Sequence, residues 1–277
     1  MTSPKITLST AQLWERRYRN QPSTSLPDNE ILRLQMAHHS VRSYRSDPIP
    51  EGFLEIGIAA ASSAATSSNL QTWSVVAVKD QEKRNRLAEL AGGQVYIAQA
   101  PVFLAWVVDL SRLERVAQRE GHSAEALDYA ESFLMGTFDT GIAAQNAVVA
   151  FESLGLGTVY IGGLRNHPEE VAALLELPER TIAVVGMCVG YPTDNAAGDI
   201  KPRLAQDVVL HHEQYEHHQE AERVEAYNQR ADAYQQEQGL SSRRWTETVS
   251  MRVAKAASLG GRHVMRHVLQ RLGFPLD

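Results

Sequence analysis

Residues 123–165, SAEALDYAESFLMGTFDTGIAAQNAVVAFESLGLGTVYIGGLR, decide the fold. They read as one long, nearly uncharged helix, stopped by Gly155 and Gly157 and followed at once by a short strand at 158–161. Between Glu131 and Glu152 the only charge is Asp139. A helix that is apolar all round is a buried one. Its small residues, Gly136, Thr140, Gly141, Ala143, Ala144 and Ala147, allow another backbone to come close, from within the fold or from a second copy of the chain. Gly162 and Gly163 end the strand with bare backbone, which suits a tight turn or the close approach of a flat ligand.

Outward from this stretch, the apolar runs at 73–79, 101–109 and 181–190 read as strands, the last of them central in the sheet. Helices are expected at 11–18, at 30–38 with Asp28 as its cap, from about 51, at 80–90 and at 168–175. A charged, polar helix is expected over 214–238, closed by Gly239, and amphipathic helices over the last thirty residues. The elements alternate without the regular strand-helix period of a parallel sheet. The expected fold class is α+β, with helices on both faces of a mixed central sheet, in one large domain.

The chain has 277 residues, ample for a hydrophobic core, and a formal charge of -6. That balance argues against a nucleic-acid partner, which needs a basic face. The single cysteine, Cys188, lies in the apolar run IAVVGMCVGYP. No internal disulfide is possible, a reducing compartment fits, and the residue reads as a small buried hydrophobe. The N-terminus has no apolar core of signal-peptide type, and no run reaches the roughly 20 apolar residues of a membrane span. A cytoplasmic protein with no membrane partner is expected.

Several motifs fail on inspection. Gly155-Leu156-Gly157 resembles a dinucleotide phosphate loop, but its sixth position is Tyr160 and it follows a helix and precedes a strand, the reverse of that fingerprint. His211, His212, His217 and His218, and the pair His263 and His267, lack an HExxH context or a cysteine partner. They read as surface histidines, and no metal is expected. A more informative pattern is distributed. His38, Ser40 and Arg42 alternate in an extended segment, so their side chains can share one side. Lys201 and Arg203 repeat the arrangement across Pro202. Two such basic groups in an acidic chain suit an anion, with Arg offering a bidentate contact and Lys a point charge. Between them in sequence, Thr66, Ser67, Ser68, Asn69 and Gln94 offer hydroxyls and amides to the edge of a polar heterocycle. Taken singly these are ordinary surface charges and capping serines; their order along the chain sets them apart.

That order, HHSVRSYRSDPIP, ATSSNLQ, AGGQVYIAQAP, DTGIAAQNAVVAFESLGLGTVYIGGLRN, GMCVGYPTDN, IKPRL and SSRRW, resembles the flavin-dependent nitroreductase family over about residues 31–245. The likeness is greatest to its oxygen-insensitive NADPH nitroreductases and NADPH:FMN oxidoreductases. The resemblance implies an FMN-binding homodimer with the long helix in the subunit interface. It divides the chain into an N-terminal extension (1–27), an FMN-binding core (28–207), a helical excursion with a mobile nucleotide-binding loop (208–245) and a C-terminal helical segment completing the dimer (246–277). His38, His39, Ser40 and Arg42 with Lys201 and Arg203 would hold the phosphate, the ribityl chain and the pyrimidine edge. Thr66, Ser67, Ser68 and Gln94 would line the ring, and Tyr160, Gly162 and Gly163 would present the strand end to it. No side chain need be a catalytic base, because the hydride is carried by the flavin. NADPH or NADH would be the co-substrate, and small aromatics such as nitroaromatics and quinones the acceptors. Alternatives of the same chemistry and of another are a reductase supplying free reduced FMN and a flavin-binding protein without nucleotide turnover.

Two departures stand out. His39 occupies a position where close relatives carry Arg. Gln238 stands before Gly239 where NADPH-preferring relatives carry a base, while Arg243 matches a second phosphate-binding arginine and Arg244 adjoins it. One lost cation weakens discrimination for a 2′-phosphate by about 1–3 kcal/mol.

Overall fold

The computed structural model describes residues 6–194, 196 and 198–277. Helix α1 (Thr10–Tyr18) begins in a capping box: the Ser9 hydroxyl accepts the Gln12 N–H, and the Gln12 side chain accepts the Ser9 N–H. Helix α2 (Glu30–Ala37) is capped by Asn29, which accepts the Leu32 N–H at 2.9 Å, and not by Asp28. The Asp28 carboxylate is drawn elsewhere, to the Thr10 hydroxyl at 2.7 Å and to Arg33.

Helix α3 (Phe53–Ser62) leads through a turn into β1 (Trp73–Val78). Asp80 caps α4 (Gln81–Leu90), and the short α5 (Tyr96–Gln99) precedes β2 (Val102–Asp109) and α6 (Ser111–Arg119). The long helix α7 (Ala130–Ser153) starts seven residues later than the apolar run suggests. Upstream, Glu125–Asp128 is a short 3-10 turn separated from α7 by the extended Tyr129, and it is held there by Asp128, whose carbonyl accepts the Asp277 N–H and whose carboxylate accepts the Arg180 guanidinium. Then come β3 (Gly157–Ile161), α8 (Pro168–Leu174) and β4 (Thr181–Gly190). Polar helices α9 (Gln206–Val209), α10 (Glu220–Glu237) and α11 (Trp245–Val253) follow, and α12 (Met265–Arg271) closes the chain. The helix expected from residue 214 begins at Glu220.

The four strands run in the order β1-β2-β4-β3, and all three pairings are antiparallel. The α+β class holds, but these strands do not form a mixed sheet. The connection through α7 carries β3 past β2, and β4 inserts between them, so the two strands of like direction never pair. β4 is interior, as its unbroken apolar run suggests, and every residue of β2 is buried.

Helices cover both faces. On one, Leu87 of α4 and Val171 of α8 pack with Phe103 and Ile161. On the other, Ala61 of α3 and Ala143, Ala147 and Phe151 of α7 pack with Leu104, Trp106 and Met187. Gly57 makes the α3 contact possible, because a Cβ there would lie 2.2 Å from the Phe151 ring. Cys188 is buried at the centre of the sheet, and burial raises its thiol pKa.

The chain forms two compact units instead of the one domain expected. The larger comprises Ser40–Ala197 with Gly260–Asp277, and the smaller Met1–His39 with Gly198–Leu259. The segments of the smaller unit pack on one another around a buried arginine described below. Helix α7 is not buried all round. Gly136, Asp139, Thr140, Ala143 and Ala147 face inward, but Leu134 and Phe138 are 64% and 67% exposed. Among the described residues no helix is long and apolar enough to cross a membrane.

Candidate functional site

In the smaller unit the polar centre is Arg17, one turn beyond Leu13 on the inward face of α1. Its guanidinium donates to three backbone carbonyls: Lys201 at 2.9 Å, Met36 at 2.8 Å and His38 at 2.9 Å. Its own carbonyl accepts the Arg203 N–H at 3.1 Å. The structure thus gathers three sequence-selected residues, His38, Lys201 and Arg203, around one that the sequence reading left in an extension. Burial, and next the neighbouring Arg203, lower the Arg17 pKa. The signal that could have found it is the i, i+4 pairing with Leu13, which places an arginine on the one apolar stripe of α1.

The Lys201 and Arg203 side chains are exposed, and neither pairs with a carboxylate among the described residues. Between them Pro202 is buried, and its carbonyl accepts the Tyr227 hydroxyl of α10 at 3.1 Å. Arg230, one turn on, lies over the Tyr227 ring at 5.8 Å. Cations fixed by their backbones and left without carboxylates suit a phosphate. His39 is exposed, with its Nδ1 3.3 Å from the Ala37 carbonyl.

The nucleotide candidates of this unit are more engaged. The Arg244 guanidinium is paired with Glu225. Gln235 brackets the Arg243 backbone, donating to its carbonyl at 3.0 Å and accepting its N–H at 2.8 Å. Gln238 ends α10, its N–H on the Tyr234 carbonyl at 3.0 Å.

In the larger unit Ser40 and Arg42 flank Val41, whose N–H donates to the Thr158 carbonyl of β3 at 2.9 Å. Val41 is buried against Gly157, where a Cβ would come within 2.5 Å of it. Alternation then turns Ser40 and Arg42 to the opposite side, and Arg42 is exposed. Gln94 and Gly163 are brought together, because a Cβ on Gly163 would lie 2.4 Å from the Gln94 amide and 2.5 Å from the Ala91 carbonyl. Gln94 donates to that carbonyl at 2.7 Å and accepts the Tyr96 hydroxyl. One amide hydrogen and one oxygen lone pair remain, the complement of a ring edge carrying a carbonyl beside an N–H. Gly162 lies over the Arg165 guanidinium, and the Tyr160 hydroxyl reaches Gln145 of α7 at 3.4 Å.

Residues 66–71 form the most constrained backbone of the unit. Ser68, Asn69 and Gln71 all have positive φ, at 48°, 56° and 52°. Asn tolerates that region, whereas for Ser and Gln it costs about 1 kcal/mol or more each. A buried carboxylate, Asp139 of α7, offsets this. It accepts the Thr66 hydroxyl at 2.5 Å, the Thr72 hydroxyl at 3.1 Å and the Ser67 N–H at 3.1 Å. The side chains of Ser67, Ser68 and Asn69 are left exposed. Asp139 was legible only as the lone charge in an apolar helix.

Comparison with known proteins places these features. Residues 36–191 match the nitroreductase family, and residues 201–277 match the nitroreductase family C-terminal domain. The chain is 37% identical over 254 residues to the FMN reductase (NAD(P)H) of Bacillus subtilis strain 168, covering 90% of this chain and 99% of that protein. It is 36% identical to the oxygen-insensitive NADPH nitroreductase of Salmonella typhimurium, over 81% of this chain and 91% of that one. Its structure superposes on the NADPH:FMN oxidoreductase from Vibrio harveyi complexed with NAD+ with a TM-score of 0.80 at 35% identity, covering 90% and 100% of the two chains. With the fold and both sequence segments in agreement, the chain belongs to the nitroreductase family.

Proposed function

We propose that this protein is an FMN-dependent NAD(P)H oxidoreductase that reduces nitroaromatics and quinones two electrons at a time. The observation supporting it most directly is the basic cluster. Lys201 and Arg203 are fixed by Arg17 and Pro202 yet have no carboxylate partner among the described residues, and a flavin phosphate is the anion that suits them. When bound, FMN takes a hydride from NAD(P)H and hands two electrons to a flat acceptor. The protein binds, orients and shields. His38, His39, Ser40, Arg42, Lys201 and Arg203 hold the phosphate, ribityl chain and pyrimidine edge. Thr66, Ser67, Ser68, Gln94, Tyr160, Gly162 and Gly163 line the ring, while Arg243, Arg244 and Gln238 meet the nucleotide. A cation from Lys201 or Arg203 near the flavin ring would favour negative charge on the reduced ring and so aid reduction. No side chain is required as acid or base.

The working unit in this reading is a homodimer. Leu134 and Phe138, one turn apart on α7, are exposed apolar side chains that a second copy would cover. The segments 1–27, 28–207, 208–245 and 246–277 serve as extension, flavin core, nucleotide excursion and dimer-completing tail, in the cytoplasm. The test is a visible absorption spectrum of purified protein with FMN, followed by anaerobic NADPH and then NADH. Flavin bands that bleach are expected. Bands that persist would leave a flavin-binding protein without turnover, and a colourless protein after FMN would end the reading. The relatives named for flavin reduction support a second outcome, release of reduced FMN to another enzyme. Turnover of added FMN that exceeds turnover of quinone would select it.

A further inference from the structure

We infer that Asp139 is the positioning residue of the flavin-facing loop: a buried carboxylate in the interior of α7 that sets where Ser67, Ser68 and Asn69 stand. The inference rests on the reading above for what the loop faces, but its physical basis is independent of it. Asp139 is 1% exposed, and no cation pairs with it among the described residues. Its partners are the Thr66 and Thr72 hydroxyls on Oδ2 and the Ser67 N–H, which reaches both oxygens, Oδ1 at 3.1 Å and Oδ2 at 3.3 Å. All three belong to one short stretch between α3 and β1. The Thr66 hydroxyl, having donated its only proton to Asp139, also accepts the Gln71 N–H at 3.0 Å. The carboxylate and this one hydroxyl therefore close the loop from both ends and hold three left-handed non-glycine residues between them. Burying a carboxylate without a cation is costly even when it is hydrogen-bonded. What it achieves here is a fixed loop whose middle side chains, Ser67, Ser68 and Asn69, are exposed to a ligand.

Asparagine cannot replace it, although it has the same shape. With the amide oxygen toward the two hydroxyls, the NH2 group meets the Ser67 N–H, donor to donor. Reversed, the NH2 group can donate to both hydroxyls, but the protons that Thr66 and Thr72 gave the carboxylate then lose their acceptor. Asp139→Asn should therefore loosen the loop while α7 persists.

Two readouts test this, and a packing variant, Val171→Ala on the opposite face of the sheet, controls for lost stability. The first is amide hydrogen exchange in protein without flavin. Asp139→Asn should speed exchange at residues 66–72 by about 10-fold, the factor for one lost charge-assisted hydrogen bond, and Val171→Ala should not. The second is the FMN-loaded protein. The visible circular dichroism of the flavin should change in Asp139→Asn, and the acceptor KM should rise about 10-fold with kcat changed far less. Native exchange in the loop of Asp139→Asn overturns the inference. Loss of all tertiary structure in Asp139→Asn also overturns it, since the residue would then be a global support. If the wild-type chain takes up no FMN, the functional reading fails while the exchange experiment still decides the role of Asp139.

Discussion

Each unit of the molecule holds irregular backbone with buried charge, but the mix of signs differs. The larger unit uses both, with Arg84 donating to the Ala98 and Ala100 carbonyls and carboxylates acting elsewhere. Asp139 gathers two hydroxyls and an N–H, and Asp109, at the end of β2, gathers the Ser74 and Ser111 hydroxyls at 2.6 Å each and the Arg112 side chain at 3.1 Å. In the smaller unit Arg17 gathers three carbonyls. A carboxylate only accepts and a guanidinium only donates, so the sign of the buried group determines which backbone atoms it can organise. The choice also sets the field. The carboxylates satisfy their surroundings internally, whereas Arg17 keeps Lys201 and Arg203 beside it, and positive charge accumulates for an anion to balance.

The largest effect should come from removing the cation. Arg17→Ala leaves three carbonyls without their donor and should lower unfolding free energy by about 3 kcal/mol or more, with flavin affinity falling in parallel. Denaturant titration of the two proteins checks it. An unchanged midpoint would mean that the smaller unit does not depend on its buried charge, and the symmetry between the units would be lost.

The matching cut in the larger unit is Asp109→Asn, expected to cost about 2 kcal/mol at neutral pH. Burial pushes the Asp109 pKa up, but the hydroxyls of Ser111 and Ser74 and the Arg112 guanidinium outweigh it and hold the carboxyl below its ordinary value. A group depressed in the folded state stabilises fully above its unfolded pKa of about 3.9 and loses that contribution as the pH falls through the folded value. The gap between wild type and variant should be flat from neutral pH down to about 5 and close below about 4. A gap independent of pH would show that shape, not charge, matters at this position.

Arg203→Ala sharpens the comparison by separating the cluster's charge from its architecture. The Arg203 N–H, which binds the Arg17 carbonyl, is kept, so the melting temperature should hold while the FMN dissociation constant rises about 10-fold. Full flavin occupancy at low FMN would remove Arg203 from the phosphate contacts. The smallest effect is expected at the end of α10. Gln238→Arg should lower KM for NADPH by about 5-fold relative to NADH, one charge-assisted contact, and equal effects on both nucleotides would place the residue out of reach of the 2′-phosphate.

Much of this was legible from residue order, and what was not had physical causes. Strand β4 was read to the residue, because an unbroken apolar run bounded by turn signals has few other outcomes. The α2 cap was misplaced by one position because Asp28 and Asn29 are both competent, and only the competition from Thr10 and Arg33 decides between them. The start of α7 was invisible because it depends on Asp277 and Arg180, far away in sequence. Arg17 escaped because arginine reads as surface until its carbonyl partners are known. The long apolar helix reads as buried by the fold or by a second copy of the chain, and in this chain one of its faces, with Leu134 and Phe138, is open, since periodicity marks an apolar residue without saying what covers it.

Cys188 lies two residues before the end of β4, paired in register with Phe103 on one side and Val159 on the other. Thiol reagents require a thiolate in contact with water, and this one is sealed by strands on both edges and side chains on both faces. Its rate of modification is therefore a clock for the separation of those strands. Excursions confined to α10 and α11 leave the clock still, so the chain carries, in one unaltered atom, a means of timing the opening of its sheet apart from the motions of its polar helices.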